Sequence, residues 1–424
     1  MDSKRYRPAL LAVILIVLLA AGFTVYRLPA VHNRLEWRIE IAKTYVRGVF
    51  QPVKPLPTAL PLAQLSVATL TPTSTLASAA TATAQPTPAA THTPAATATP
   101  AFTPTPLPGR MVLTPPSYEV QDINNCGPTT LSMYLQFYGW EGDQQDIAEV
   151  VKPVRQDRNV NVDELLFWAQ TNVSWLHSEF RVGGTLDQLR QLLAAGIPVM
   201  IEEGFLMEES YWPNDDRWSG HYLLVYGYDD QNRVFYAQDS YLGPNRVVNY
   251  ADLDSSWQAF NRVYLLLFPP EQLGTVQSIL GSDWDPDENR ENALATARKE
   301  SQNDPNNPFA WFNLGANLAY FEQYSEAAQA YDQARGLNLP QRMLRYQFGP
   351  FFAYFHSGRI EDLVALTDYA LQRTPNSEEA LLWHGWAMYR LGKRQEAVDA
   401  FYKALEVRAD YGDALYALDF VLAN

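Results

Sequence analysis

The last third of the chain repeats itself. Trp311, Leu314, Gly315, Ala327, Tyr331 and Ala334 are followed by Pro340, and their offsets return 70 residues later, two periods of 35, as Leu381, His384, Gly385, Ala397, Phe401 and Ala404. Leu363, Ala370 and Pro375 mark a weaker copy between them. A unit of this length holds one helix pair. Its small residues let the two helices approach closely, and its large ones fill the gap between stacked pairs. A single pair cannot bury its apolar face, so neighbouring copies must stack. Residues 283–424 are therefore expected to form an all-α array.

This pattern resembles the tetratricopeptide repeat at about three copies, with Asp287 to Ser301 as an extra flanking helix. The resemblance implies a concave face that binds a protein partner or a substrate.

Nothing upstream keeps that period. Pro8 to Tyr26 form 19 uncharged, mostly apolar positions, about one bilayer crossing for a helix. Lys4, Arg5 and Arg7 precede them, which by the positive-inside bias leaves the N-terminus in the cytoplasm. The expected arrangement is a single-pass protein of the cell membrane: a tip and anchor over 1–27, a juxtamembrane segment over 28–50, and the main domains extracytoplasmic. Residues 51–110 are rich in Thr, Pro and Ala and almost devoid of charge. Such a stretch buries too little apolar surface to fold, and its prolines keep it extended. It is predicted to be a disordered stalk. The net charge of −15 argues against a nucleic-acid partner.

Residues 111–275 mix two periodicities. Leu131 to Tyr138, Val162 to Thr171 and Leu186 to Ala195 carry helical spacing. Val199 to Glu202, His221 to Tyr228, Val234 to Gln238, Arg246 to Asn249 and Arg262 to Phe268 read as strands. Helices come first and strands later, which points to an α+β domain.

Cys126 is the chain's one cysteine, which excludes an intramolecular disulfide. It follows Asn124 and Asn125, which can cap a helix, and precedes Pro128, which fits a first turn. Unpaired amides and the helix dipole at such a position favour a thiolate. His221 opens the strand after Gly220, and a turn-like Asp229-Asp230-Gln231-Asn232 leads to a second strand ending near Asp239. In a tight hairpin, paired residue numbers would sum to 460 or 461, putting Asp239 opposite His221 or one step away. A carboxylate there can hold the imidazole in one tautomer. His177 has no partner pattern and is assigned a structural or surface role. Glu202, Glu203, Glu208, Glu209, Asp215 and Asp216 interleave with Phe205, Tyr211, Trp212 and Trp218 ahead of His221. They are read either as an ordinary solvated loop or as a lid or specificity wall, which would suit neutral or basic peptides. No metal-ligand cluster and no phosphate-binding glycine loop is present, so neither metal nor cofactor is expected.

Cys, His and Asp in this order resemble the papain-like cysteine peptidases. Gln121 to Leu131 and Gly220 to Asp239 are similar, more specifically, to the bacteriocin-leader-processing (double-glycine) peptidases and their stand-alone relatives. The resemblance implies Cys126 as nucleophile, His221 as general base and acid, Asp239 as its orienter and Gln121 as oxyanion donor. It departs at Ser240, where relatives often have Pro, and in lacking a fused transporter. The expected whole is an N-terminal transmembrane helix, an α+β papain-like peptidase domain and an all-α repeat domain. It would act on a peptide or protein substrate; the alternative is a non-catalytic surface scaffold that uses the same folds for binding.

Overall fold

The computed structural model describes residues 29–60, 106–153 and 160–423. The apolar run at Pro8 to Tyr26 lies outside the described residues. Among those described, no helix is long and apolar enough to cross a membrane.

Helix α1 (Pro29–Phe50) leads into residues 51–60, which form neither helix nor strand. The next described stretch holds β1 (Arg110–Val112), α2 (Cys126–Phe137), α3 (Gln144–Val151), α4 (Val162–Asn172), β2 (His177–Arg181), α5 (Leu186–Ala194) and β3 (Val199–Leu206). It continues through β4 (Trp218–Asp229), β5 (Val234–Asp239), β6 (Gly243–Asn249), α6 (Tyr250–Gln258), β7 (Tyr264–Phe268) and α7 (Leu273–Leu280). The strands form one antiparallel sheet in the order β2-β7-β3-β4-β5-β6, with β1 pairing the far end of β4.

The central strands are apolar on both faces because both are covered. Val199, Ile201, Leu223, Val225, Tyr264, Leu266 and Phe268 pack under α5, α6 and α7. Their alternates Met200, Tyr222, Leu224, Leu265 and Leu267 pack under α2, α3 and α4. Successive side chains of a strand point to opposite faces, so each core takes every second residue. Burying a side chain such as Leu223 or Phe268 stabilises the fold by about 1.5–3 kcal/mol. The expected α+β domain is present. Its boundary at 275 needs correction, because Val276 and Leu280 of α7 belong to the sheet's core.

The repeats follow as α8 (Pro286–Asn303), α9 (Pro308–Tyr320), α10 (Tyr324–Gly336), the single turn α11 (Met343–Tyr346), α12 (Gly349–His356), α13 (Ile360–Arg373), α14 (Glu378–Arg390), α15 (Arg394–Val407) and α16 (Gly412–Ala423). The sequence period has a direct physical reading. A Cβ on Gly315 would lie 2.8 Å from the Tyr331 ring, and one on Gly385 would lie 2.4 Å from the Phe401 ring. Each glycine lets the first helix of its pair close onto an aromatic of the second. The weak middle copy has a short first helix, α12, preceded by the α11 turn.

The repeats are not a separate bead. Trp218 and Phe260 of the sheet domain share one apolar cluster with Phe312, Leu318 and Met343. The expected stalk also needs correction at both ends. Residues 51–60 lie along the repeats, where Tyr369 Oη donates to the Lys54 carbonyl at 2.6 Å and Leu56 is buried. Pro108 and Gly109 lie on the sheet, their carbonyls accepting from Tyr228 Oη and the Asp230 N–H. A spacer would have one end on the folded body; this stretch has both.

Candidate active site

Cys126 is the first residue of α2. Asn125 occupies the N-cap position, but its side chain caps nothing, contrary to expectation. Its Nδ2 donates instead to Gln144 Oε1 at 2.7 Å, and the same oxygen accepts the Asp122 N–H at 2.7 Å. Lys152 Nζ donates to the carbonyls of Ile123 and Asn124 at 2.8 and 3.1 Å. Two side chains at opposite ends of the α3 region thus hold the loop that aims Cys126. Asn124 sits at a φ of 53°, a left-handed conformation that Asn tolerates better than most residues.

His221 lies near the start of β4, 3% exposed, and Asp239 ends β5, fully buried. The β4–β5 ladder does not follow the expected sum. Pairs such as Tyr228–Phe235 sum to 463, and a bulge between Val225 and Gly227 changes this to 462, as in Leu224–Gln238. Asp239 is therefore a diagonal neighbour of His221 rather than its direct opposite, a separation long side chains can span. His221 Nε2 and Asp239 Oδ1 are 2.8 Å apart. The other ring nitrogen, Nδ1, is left for Cys126, which hydrogen-bonds the imidazole. Gly220 is required beside His221, because a Cβ there would lie 2.7 Å from the Phe260 ring.

The carboxylate is itself held. Oδ1 of Asp239 also accepts the N–H groups of Tyr241 and Leu242 at 2.9 and 2.8 Å, and Oδ2 accepts Arg246 Nη1 at 2.5 Å. Burial pushes the Asp239 carboxyl up, but the His221 hydrogen bond and charge outweigh it, holding it well below the usual carboxylate range. Burial pushes His221 down, and its bonds to Asp239 and Cys126 overcome that, raising it to about 10. Burial pushes the Cys126 thiol up, yet the His221 hydrogen bond and charge, with the Tyr222 and Gly127 amides, bring it below its ordinary value. These shifts favour a thiolate–imidazolium pair.

Gln121 and Cys126 line the same cavity, of about 430 Å³, as do His221, Glu202, Phe205, Tyr211 and Trp212. Ser240 Oγ donates to Gln121 Oε1 at 2.9 Å, and the Gln121 N–H donates to the Ser240 carbonyl at 3.1 Å. With its oxygen so occupied, the carboxamide keeps its NH₂ as the available end. No spacing rule brings Ser240, Arg246, Gln144 and Lys152 together here; Ser240 stands out in the sequence only as a departure.

The acidic stretch before His221 splits three ways. Glu202 and Glu203 are buried on β3, with Glu203 opposite His221. Burial, and then the Cys126 charge, push the Glu202 carboxyl far up, which favours its neutral form. Glu208 and Glu209 are exposed. Asp215 bonds Arg342 at 2.7 Å and Arg373 at 3.1 Å from the repeats. The stretch is a cavity wall pinned to the repeats through Asp215. His177 stacks on Phe268 at the far edge of the sheet, away from the cavity.

Residues 113–265 match the model of the Peptidase_C39 like family. The chain contains a C39-like domain. A helical repeat region follows that domain. Three solved structures with detectable likeness are a Bacillus anthracis protein described as a C39-like peptidase, a double glycine motif protease from an AMS/PCAT transporter in complex with the leader peptide, and MamA protein. The first is 17% identical and aligns over 37% of this chain and 96% of its own, with a TM-score of 0.31. The second is 18% identical over 38% and 94%, at 0.28. MamA is 22% identical over 33% and 74%, at 0.26. No curated protein matches the chain. The match to the C39-like family marks the domain as a peptidase or a peptidase-like protein.

Proposed function

We propose that this protein is a membrane-anchored thiol peptidase whose C39-like domain works outside the membrane. The observation that carries the reading is the position of His221, with Asp239 on Nε2 and Cys126 on the other nitrogen. In this reading, the Cys126 thiolate attacks a peptide carbonyl carbon. The developing oxyanion is met by the Gln121 amide and by the Cys126 N–H, whose first-turn position leaves it without an intrahelical partner. The His221 cation gives its proton to the leaving amine, and the C–N bond breaks. A water then gives a proton to His221 and attacks the thioester, which frees the acid product and returns the thiolate. Asp239 keeps the ring oriented throughout, held in turn by Arg246.

The substrate is a peptide or protein chain, and the repeats offer it, or a partner protein, a docking surface. Anchoring rests on Pro8 to Tyr26 and the basic residues before it. The decisive experiment is exposure to an epoxide inhibitor of papain-like enzymes, followed by mass spectrometry. A single adduct on Cys126, lost in His221→Ala, is expected. A native protein that takes no adduct, although its thiol reacts with iodoacetamide above pH 8.5, would leave the scaffold reading standing.

A further inference from the structure

We infer that the repeats carry a binding site for an extended, leucine-anchored, proline-containing peptide, and that residues 51–60 of this chain fill it from within. Arg373 Nη1 donates to the Gln51 carbonyl at 2.9 Å, and Tyr369 Oη donates to that of Lys54 at 2.6 Å. Arg335 Nε donates to the Pro57 carbonyl at 3.0 Å, joined by a second N–H of the same guanidinium. Asp362 Oδ1 accepts the Leu60 N–H at 3.1 Å. These contacts read backbone. One side chain is read as well: Leu56, 8% exposed, packs into the repeat cluster.

The chemistry of the site matches its occupant. Pro52, Pro55 and Pro57 lack N–H groups but keep their carbonyls, and the site supplies donors chiefly for carbonyls. Proline also lowers the entropy lost when an extended chain docks. The receptor side is fixed beforehand: Arg335 Nη1 donates to Tyr354 Oη at 2.7 Å and lies 3.6 Å from Asp362. Because the ligand belongs to the same chain, its effective concentration is high, and a free peptide competes poorly.

Occupancy reaches the cavity. The segment continues directly from α1, whose Ile41 lines the Cys126 cavity. The Gly48 carbonyl of α1 accepts Asn214 Nδ2 at 3.1 Å, and a Cβ on Gly48 would lie 2.3 Å from the Pro213 carbonyl oxygen. With residues 51–60 seated, α1 is held against the wall that carries Tyr211 and Trp212. The inference does not require Cys126 to be catalytic.

The test uses the full chain with Leu56→Asp. A fluorescent peptide of residues 51–60 should bind this variant below 1 mM and fail to bind the wild type, whose site is filled. Binding should disappear when Arg335→Ala is added. Labelling of Cys126 by a maleimide carrying a 5-kDa polymer should rise about tenfold in Leu56→Asp, while iodoacetamide labelling changes less than twofold. If Leu56→Asp melts early, replacing residues 51–60 by a Gly/Ser linker of equal length vacates the site without touching the repeats. A folded variant that binds no peptide at 1 mM overturns the site. Unchanged labelling by the bulky reagent overturns its hold on α1.

Discussion

The C39-like domain and the repeats both bury charge, in opposite ways. In the repeats the charges pair off. Arg359 bonds Asp332 at 2.5 Å and Asp362 at 2.8 Å, and Arg335 lies 3.6 Å from Asp362. Each guanidinium has a carboxylate, so the network fixes how α10 and α13 sit. In the C39-like domain Cys126, His221, Asp239 and Glu202 meet around one cavity, and their proton affinities are pushed apart. Buried charge alone therefore does not mark a functional site. Displaced protonation beside an open cavity is the better sign.

The sharpest way to break this comparison is to remove the imidazole. His221→Ala is expected to cut peptide turnover by about 10⁴-fold, the scale for loss of a member of a catalytic triad. Steady-state hydrolysis of a peptide substrate measures it, and a loss under tenfold would put the two regions on an equal footing. Gln121→Ala should cost roughly a hundredfold in kcat, as for one oxyanion donor, and leave Cys126 labelling unchanged. A parallel fall in labelling would mean that Gln121 supports the fold and not the transition state.

The ionisation itself can be followed without a substrate. Cys126 is lowered and His221 is raised to about 10. The thiolate should thus form at a pH below that of an ordinary thiol, and the imidazolium should persist until pH approaches about 10. Iodoacetamide labelling should be substantial at pH 6, and His221→Ala should slow it there by about tenfold, moving the profile up toward pH 8.5. A wild-type profile already centred at 8.5 would contradict the ion pair.

Two smaller effects sharpen the contrast. Gly385→Ala forces a Cβ to within 2.4 Å of the Phe401 ring. It should lower stability by about 1–3 kcal/mol in thermal melts, with Cys126 labelling unaltered in the folded protein. A change in labelling would reveal coupling between the outer repeat and the cavity. Glu202→Gln should change labelling less than twofold, because burial favours the neutral Glu202 carboxyl. A larger rise would mean that it carries charge.

Much of this was legible from residues alone. Both glycine–aromatic closures follow from the period of 35, since a local motif carries its own packing partner. The strand segments on β3, β4, β5 and β7 were visible because their apolar runs are largely buried. The polar edge strand β2, His177 to Arg181, has no such run and shows no strand pattern in the sequence. The four residues assigned to the site line one cavity or pair within it, yet Asp239 arrives diagonally, through a bulge that no spacing rule specifies.

Residue pattern alone shows which residues can do thiol chemistry, where an all-α array must begin to stack, and which stretch cannot build a core of its own. Tertiary structure decided what each of these is joined to. Ser240 reaches Gln121 across 119 positions, and Arg373 reaches Asp215 across 158. The proline-bearing residues 51–60, too poor in apolar side chains to fold alone, are ordered by hydrogen bonds to helices about 300 residues away. Periodicity reports only the local face a residue shows. The partner across the fold is set by how sheet and helices close on one another, and that closure depends on the whole chain at once.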